Sequence, residues 1–77
     1  MNITVYGKPE CTDWARCRSL LDAHEIRFEF HDILSDPQAA RDAQKISGGS
    51  SSPVLVFEDN SFLVEPSDED LTEALTA

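Results

Sequence analysis

Asn2-Ile3-Thr4-Val5-Tyr6-Gly7-Lys8-Pro9-Glu10-Cys11-Thr12-Asp13-Trp14 is the stretch on which the fold depends. Residues 2–6 alternate in character and are rich in β-branched and aromatic side chains, which predicts a strand. Gly7 to Glu10 breaks it as a short loop. From Thr12 or Asp13 to His24 the spacing of Trp14, Cys17, Leu20 and Leu21 lays one apolar face along a helix, and Thr12 and Asp13 are suited to cap its start. Arg27 to Ile33 (RFEFHDI) alternates again, with Phe28 and Phe30 on one face, which predicts a second strand. Strand, helix and strand within so few residues imply a parallel pair joined by a right-handed crossover.

The rest of the chain follows the same punctuation. Ser35-Asp36-Pro37 starts a second helix, with proline in the first turn where its missing N–H costs nothing. That helix runs to about Ile46 and stops at Ser47-Gly48-Gly49. Ser50 to Ser52 form a loop. Pro53 to Phe57 form a short buried strand, and Glu58 to Ser61 turn it back into Phe62-Leu63-Val64. After Glu65-Pro66, Ser67 caps a last helix that carries acids in its first turn and ends near Ala77. The order is βαβαββα. The expected sheet has four strands, with the first strand and the Pro53 strand central and antiparallel. The first and third helices share one face, and the second helix covers the other.

Seventy-seven residues make one domain, 1–77, without repeats or linkers. At 40% hydrophobic and 27% charged residues the composition is that of a globular domain rather than a disordered tail. Fifteen acidic against six basic side chains give a formal net charge of −9, which disfavours a phosphate backbone as partner. No apolar run approaches the roughly 20 residues a membrane-spanning helix requires. The opening residues lack the basic flank and apolar stretch of a secretion signal, so a cytoplasmic location is the default expectation. The acidity reads first as solubility, and beyond that as a basic protein partner or a salt-adapted host.

Two cysteines form no disulfide framework, and the Cys and His content is too thin for a structural zinc site. Cys11 falls where a loop meets a helix start, and there unpaired N–H groups and the positive end of the helix dipole favour a thiolate. Lys8 adds a cation, whereas Glu10 and Asp13 oppose ionisation. A loop cysteine of ordinary reactivity fits the position equally. Trp14 reads either as part of the apolar helix face or as a wall of a cleft beside Cys11. Cys17 lies on the inward stripe and reads as core filler. His24 and His31 are assigned no catalytic role.

Tyr6-Gly7-Lys8-Pro9-Glu10-Cys11, Leu20-Leu21-Asp22, Ser35-Asp36-Pro37, Gly48-Gly49 and Ser52-Pro53, in this order and spacing, resemble the glutaredoxins and the small glutaredoxin-like redoxins. The resemblance spans nearly the whole chain and implies an α/β thioredoxin-like fold. It makes Cys11 the nucleophile and Pro53 a cis-proline facing it. Lys8 and the Ser52 backbone would contact a thiol substrate, and the Ser67-Asp68 helix start would hold a substrate carboxylate; Thr12 and, as a cleft wall, Trp14 are further candidates for substrate contact. Trp14 stands where the Cys-x-x-Cys pattern puts its resolving thiol, and the Cys-Gly-Phe-Ser signature of cluster-carrying members is absent. Ser52 replaces the usual valine, and Glu65-Pro66 replaces a Gly-Gly pair.

The resemblance implies a monothiol oxidoreductase that performs thiol–disulfide exchange through Cys11. No tightly bound cofactor or metal is expected. Glutathione or another low-molecular-weight thiol is the candidate co-substrate, and a disulfide-containing or thiolated protein, or a reductase, is the candidate partner. The protein is expected to be a monomer that binds neither nucleic acid nor membrane. The competing reading is a non-catalytic redoxin-like module that lost the resolving cysteine and binds a protein, because fold alone confers no activity.

Overall fold

The computed structural model describes residues 2–76. Its elements are β1 (Asn2–Gly7), α1 (Thr12–Ala23), β2 (Arg27–Asp32), α2 (Pro37–Ser47), β3 (Val54–Val56), β4 (Phe62–Val64) and α3 (Asp68–Thr76). The sheet order is β2-β1-β3-β4. β1 runs parallel to β2, antiparallel to β3, and β3 runs antiparallel to β4. This is an α/β thioredoxin-like fold with the expected order and strand directions.

The register explains the two-sided core. Alternation along β1 sends Ile3 and Val5 to the face covered by α1 and α3, where they meet Trp14, Cys17, Leu21, Leu55 and Leu71. Phe28 and Phe30 of β2 border that cluster, as do Leu63 and Leu75. On the opposite face α2 packs against β1, β2 and β4 and buries Ala39 and Ala43. There Tyr6 stacks on His31 with ring centroids 5.3 Å apart, and the His31 Nε2 lies 3.3 Å from Glu29.

Helix ends follow their local chemistry. Asp36 caps α2, its carboxylate accepting from the N–H groups of Gln38 and Ala39, and Gly48 ends the helix in the left-handed region at φ 76°. Ser67 Oγ accepts from Asp70 N at 3.1 Å and so caps α3. The expected end of that helix near Ala77 lies outside the described residues. At the end of α1, Ile26 N donates to Leu21 O while Glu25 takes φ 56°, a closing turn in which glycine is usual.

The structure corrects several boundaries. β1 extends to Gly7, which pairs with Asp32 and accepts a hydrogen bond from Ile33 N. β2 ends one residue before Ile33, and β3 is shorter at both ends than the Pro53–Phe57 expectation. Pro53 has no N–H for a ladder, and Phe57 N turns instead to Ser61 O. The N-cap of α1 is Cys11 rather than Thr12 or Asp13.

Candidate active site

The parallel pairing of β1 and β2 brings both strands out at one end of the sheet, with Gly7 opposite Asp32. From there Lys8 to Cys11 leave on one side, and Ile33 and Leu34 leave on the other. Between them lies an open cleft of about 520 Å³ lined by Lys8, Pro9, Glu10, Cys11, Thr12, Asp32 and Leu34. Ligand clefts of open α/β sheets lie outside the carboxyl ends of the strands, and this cleft has that position.

Cys11 is fixed by its backbone. Its N–H donates to Lys8 O at 3.2 Å, and its carbonyl accepts the first helical bond from Ala15 N at 3.0 Å. Its side chain makes no capping hydrogen bond. The thiol is free, partly exposed and packed against the edge of the core. A rigid main chain carrying an uncommitted sulfur at a helix start suits a nucleophile.

The peptide bond before Pro53 is cis, as the resemblance implied. Ser52 and Pro53 are buried. A Cβ on Gly7 would stand 3.5 Å from Pro53 Cβ and 3.3 Å from the Phe30 ring. Pro53 therefore packs on the last residue of β1, from which the Cys11 loop departs, and neither Ser52 nor Pro53 is part of the cleft lining.

Trp14 is not a cleft wall. It is 4% exposed, stacked on Phe30 at 5.0 Å between centroids and edge-on to Phe28 at 5.2 Å. Both neighbours claim its ring, so no open face remains for a partner. The second cysteine is equally committed. Cys17 is fully buried beneath α1, and burial pushes its thiol pKa up, with a smaller opposing effect of Arg16.

Ser67 and Asp68 also lie outside the cleft. Ser67 Oγ is used in capping, and Asp68 Oδ1 accepts from Arg16 Nη1 at 2.6 Å. Arg16 also donates to Pro66 O at 3.0 Å and lies 3.5 Å from Asp13. The bond to Asp68 is the main reason its pKa is raised further. This arginine ties the start of α3 to α1, and sequence reasoning missed it. The Asp13–Arg16 spacing of three was a visible signal; the Asp68 partner, 52 positions away, was not. Asp32 and Leu34 were missed as well, because only the β1–β2 pairing brings them to Cys11.

A family model for glutaredoxin matches residues 3–62, from β1 to the start of β4. The chain belongs to the glutaredoxin family. Membership supports a redox-type function, and the solved structures it resembles share the fold. It superposes on a glutaredoxin from Archaeoglobus fulgidus with TM-score 0.85 at 24% identity, covering 97% of this chain and 86% of that one. A thioredoxin-like protein in mutant form gives TM-score 0.83 at 22% identity, with 96% and 94% covered. A glutathione S-transferase domain-containing protein from Marinobacter aquaeolei gives TM-score 0.64 at 18% identity, covering 94% of this chain and 36% of that one. No curated protein matches the chain. Within this glutaredoxin framework, Cys11 is the cysteine whose surroundings leave it available for chemistry.

Proposed function

We propose that this glutaredoxin-family protein is a monothiol oxidoreductase that carries out thiol–disulfide exchange through Cys11. The observation that carries the reading is the partly exposed, uncapped Cys11 side chain in the cleft at the start of α1. The Cys11 thiolate attacks one sulfur of a substrate disulfide. A new S–S bond forms, the old one breaks, and the other sulfur leaves as a thiolate that takes a proton from water. A second thiol, glutathione or another small thiol or one held by a reductase, then attacks the mixed disulfide. That thiol is oxidised to a disulfide with the bound group, and Cys11 is regenerated. The net change is an exchange: the incoming sulfur is oxidised from thiol to disulfide as the departed sulfur is reduced from disulfide to thiol, and one disulfide remains.

The step requires an outside thiol because Trp14 stands at the resolving position and Cys17 is buried. We place the protein as a monomer in a reducing compartment such as the cytoplasm, where its thiols persist unpaired. The same absence of a resolving thiol favours, as second reading, a module that binds a protein without catalysis.

The test is to expose the reduced protein to bis(2-hydroxyethyl) disulfide and map the product by mass spectrometry. The expected product is one hydroxyethylthio group on Cys11, removed by added thiol and formed faster than on an unstructured cysteine peptide. A rate no greater than that of the peptide would overturn the enzymatic reading in favour of the binding module.

A further inference from the structure

Leu34 is the most exposed large apolar side chain among the described residues, at 70%. It is not a loose loop residue. Its N–H donates to Asp32 Oδ1 at 2.8 Å, Ile33 N donates to Gly7 O, and Asp36 N donates to Asp32 O at 3.0 Å. Three hydrogen bonds thus fix the turn that presents Leu34, and the side chain makes up one wall of the Cys11 cleft. Nothing in packing requires leucine there. Holding it in water forgoes the favourable transfer that burial of a leucine would give.

The charges of the same cleft are unbalanced. Glu10 and Asp32 line it against the single cation Lys8. The chain as a whole carries −9. An anionic small-thiol disulfide therefore approaches Cys11 against the field, whereas a cationic segment is drawn in.

We infer that Leu34 and Asp32 select the substrate of Cys11: a polypeptide disulfide whose cysteine is flanked by an apolar side chain and a basic one. The apolar neighbour covers Leu34, and the basic neighbour meets Asp32. The inference rests on exchange at Cys11 and specifies which disulfides that chemistry takes.

The test uses two synthetic peptides of equal length, each with one cysteine held as a mixed disulfide with 2-nitro-5-thiobenzoate. In the first, leucine and arginine flank the cysteine; in the second, serine and glutamate do. Reduced protein is mixed with each, and release of the coloured thiol is followed by stopped flow. Every rate is divided by the same variant's rate with neutral bis(2-hydroxyethyl) disulfide. The wild type is expected to favour the first peptide about tenfold, the lower range for one apolar contact in a specificity pocket. Leu34→Ser should reduce that preference to about twofold or less. Asp32→Asn keeps an oxygen to accept from Leu34 N, and it should remove the part of the preference that added salt suppresses. If the wild type treats both peptides alike while the neutral disulfide still reacts faster than with Cys11→Ser, the selectivity is wrong and exchange stands. If the neutral disulfide reacts no faster than with Cys11→Ser, exchange itself falls, and the selectivity with it.

Discussion

Cys11 and Cys17 belong to one helix and one residue type, yet α1 treats its two regions in opposite ways. At the N-terminal end, the main chain of Cys11 is held by Lys8 and Ala15 while the sulfur stays uncommitted at a cleft. Six residues on, Cys17 is sealed among Ile3, Val5, Leu21, Leu55 and Leu71, with Trp14 nearby, stacked on Phe30 and edge-on to Phe28. The first region spends its backbone on order and leaves its side chain for chemistry. The second commits Trp14, Cys17 and Leu21 to packing. Access to the sulfur is thus set by position along the helix rather than by residue type.

The largest effect expected from this contrast is on exchange itself. Cys11→Ser should bring the reaction with small disulfides down to the level of the uncatalysed mixture, because serine supplies no comparable nucleophile at neutral pH. Cys17→Ala should retain it. The two variants are compared by initial rate with bis(2-hydroxyethyl) disulfide. Substantial exchange surviving in Cys11→Ser would mean that Cys17 is reached through an opening of the core.

Trp14→Ala should be the most damaging change to stability. Removing a buried Trp side chain costs about 3–5 kcal/mol. Folding stability for a chain of this length is on the order of 4–12 kcal/mol. Urea unfolding followed by far-ultraviolet circular dichroism should show a midpoint far below that of the wild type. A loss under 1 kcal/mol would return Trp14 to the surface role suggested by its place three positions after Cys11.

These two residues also show how far the sequence could be read. The β-α-β start was legible because alternation at Ile3 and Val5, helical spacing at Trp14, Cys17 and Leu21, and alternation at Phe28 and Phe30 all address one core. Such periodicities are local and survive in one dimension. Cys11 was legible for the same reason, since a loop-to-helix junction is a local feature. The rest of the site was not. Leu34 and Asp32 reach the cleft only through the register that sets Gly7 opposite Asp32, and Arg16 meets Asp68 only through the packing of α3 on α1. Trp14 was ambiguous because a helix face one turn wide borders both the cleft and the sheet, and only the placement of Phe28 and Phe30 decides between them.

Oxidation separates the two cysteines more gently. From Cys11 to Cys17 a helix rises about 9 Å, beyond the roughly 7 Å that a disulfide tolerates between Cα atoms. Mild oxidation should modify Cys11 as a mixed disulfide or as a Cys11–Cys11 dimer and leave Cys17 reduced, as read by peptide mass spectrometry. A peptide with Cys11 linked to Cys17 would show that the first turns of α1 unwind.

The smallest effect is a matter of pH, and it tests the sealed region alone. Burial raises the Cys17 thiol above its ordinary value of 9.0. In the unfolded chain the thiol ionises near that value, while in the folded chain it stays protonated to higher pH. The stability associated with the neutral thiol is therefore full below about pH 9 and is lost as pH rises toward the folded pKa, at up to about 1.4 kcal/mol per pH unit. Tyr6, raised above 10.0 by burial first and then by Asp42 and Glu29, acts in the same direction at slightly higher pH. Urea midpoints of the wild type should accordingly hold up to about pH 9 and fall above it, with a second contribution above about pH 10. Cys17→Ala should flatten the earlier part of the fall, and Tyr6→Phe the later part. Cys11→Ser should leave the earlier part in place, because it does not touch the buried thiol. An equal flattening by Cys11→Ser and Cys17→Ala would mean that the two ends of α1 are not as differently solvated as their packing indicates.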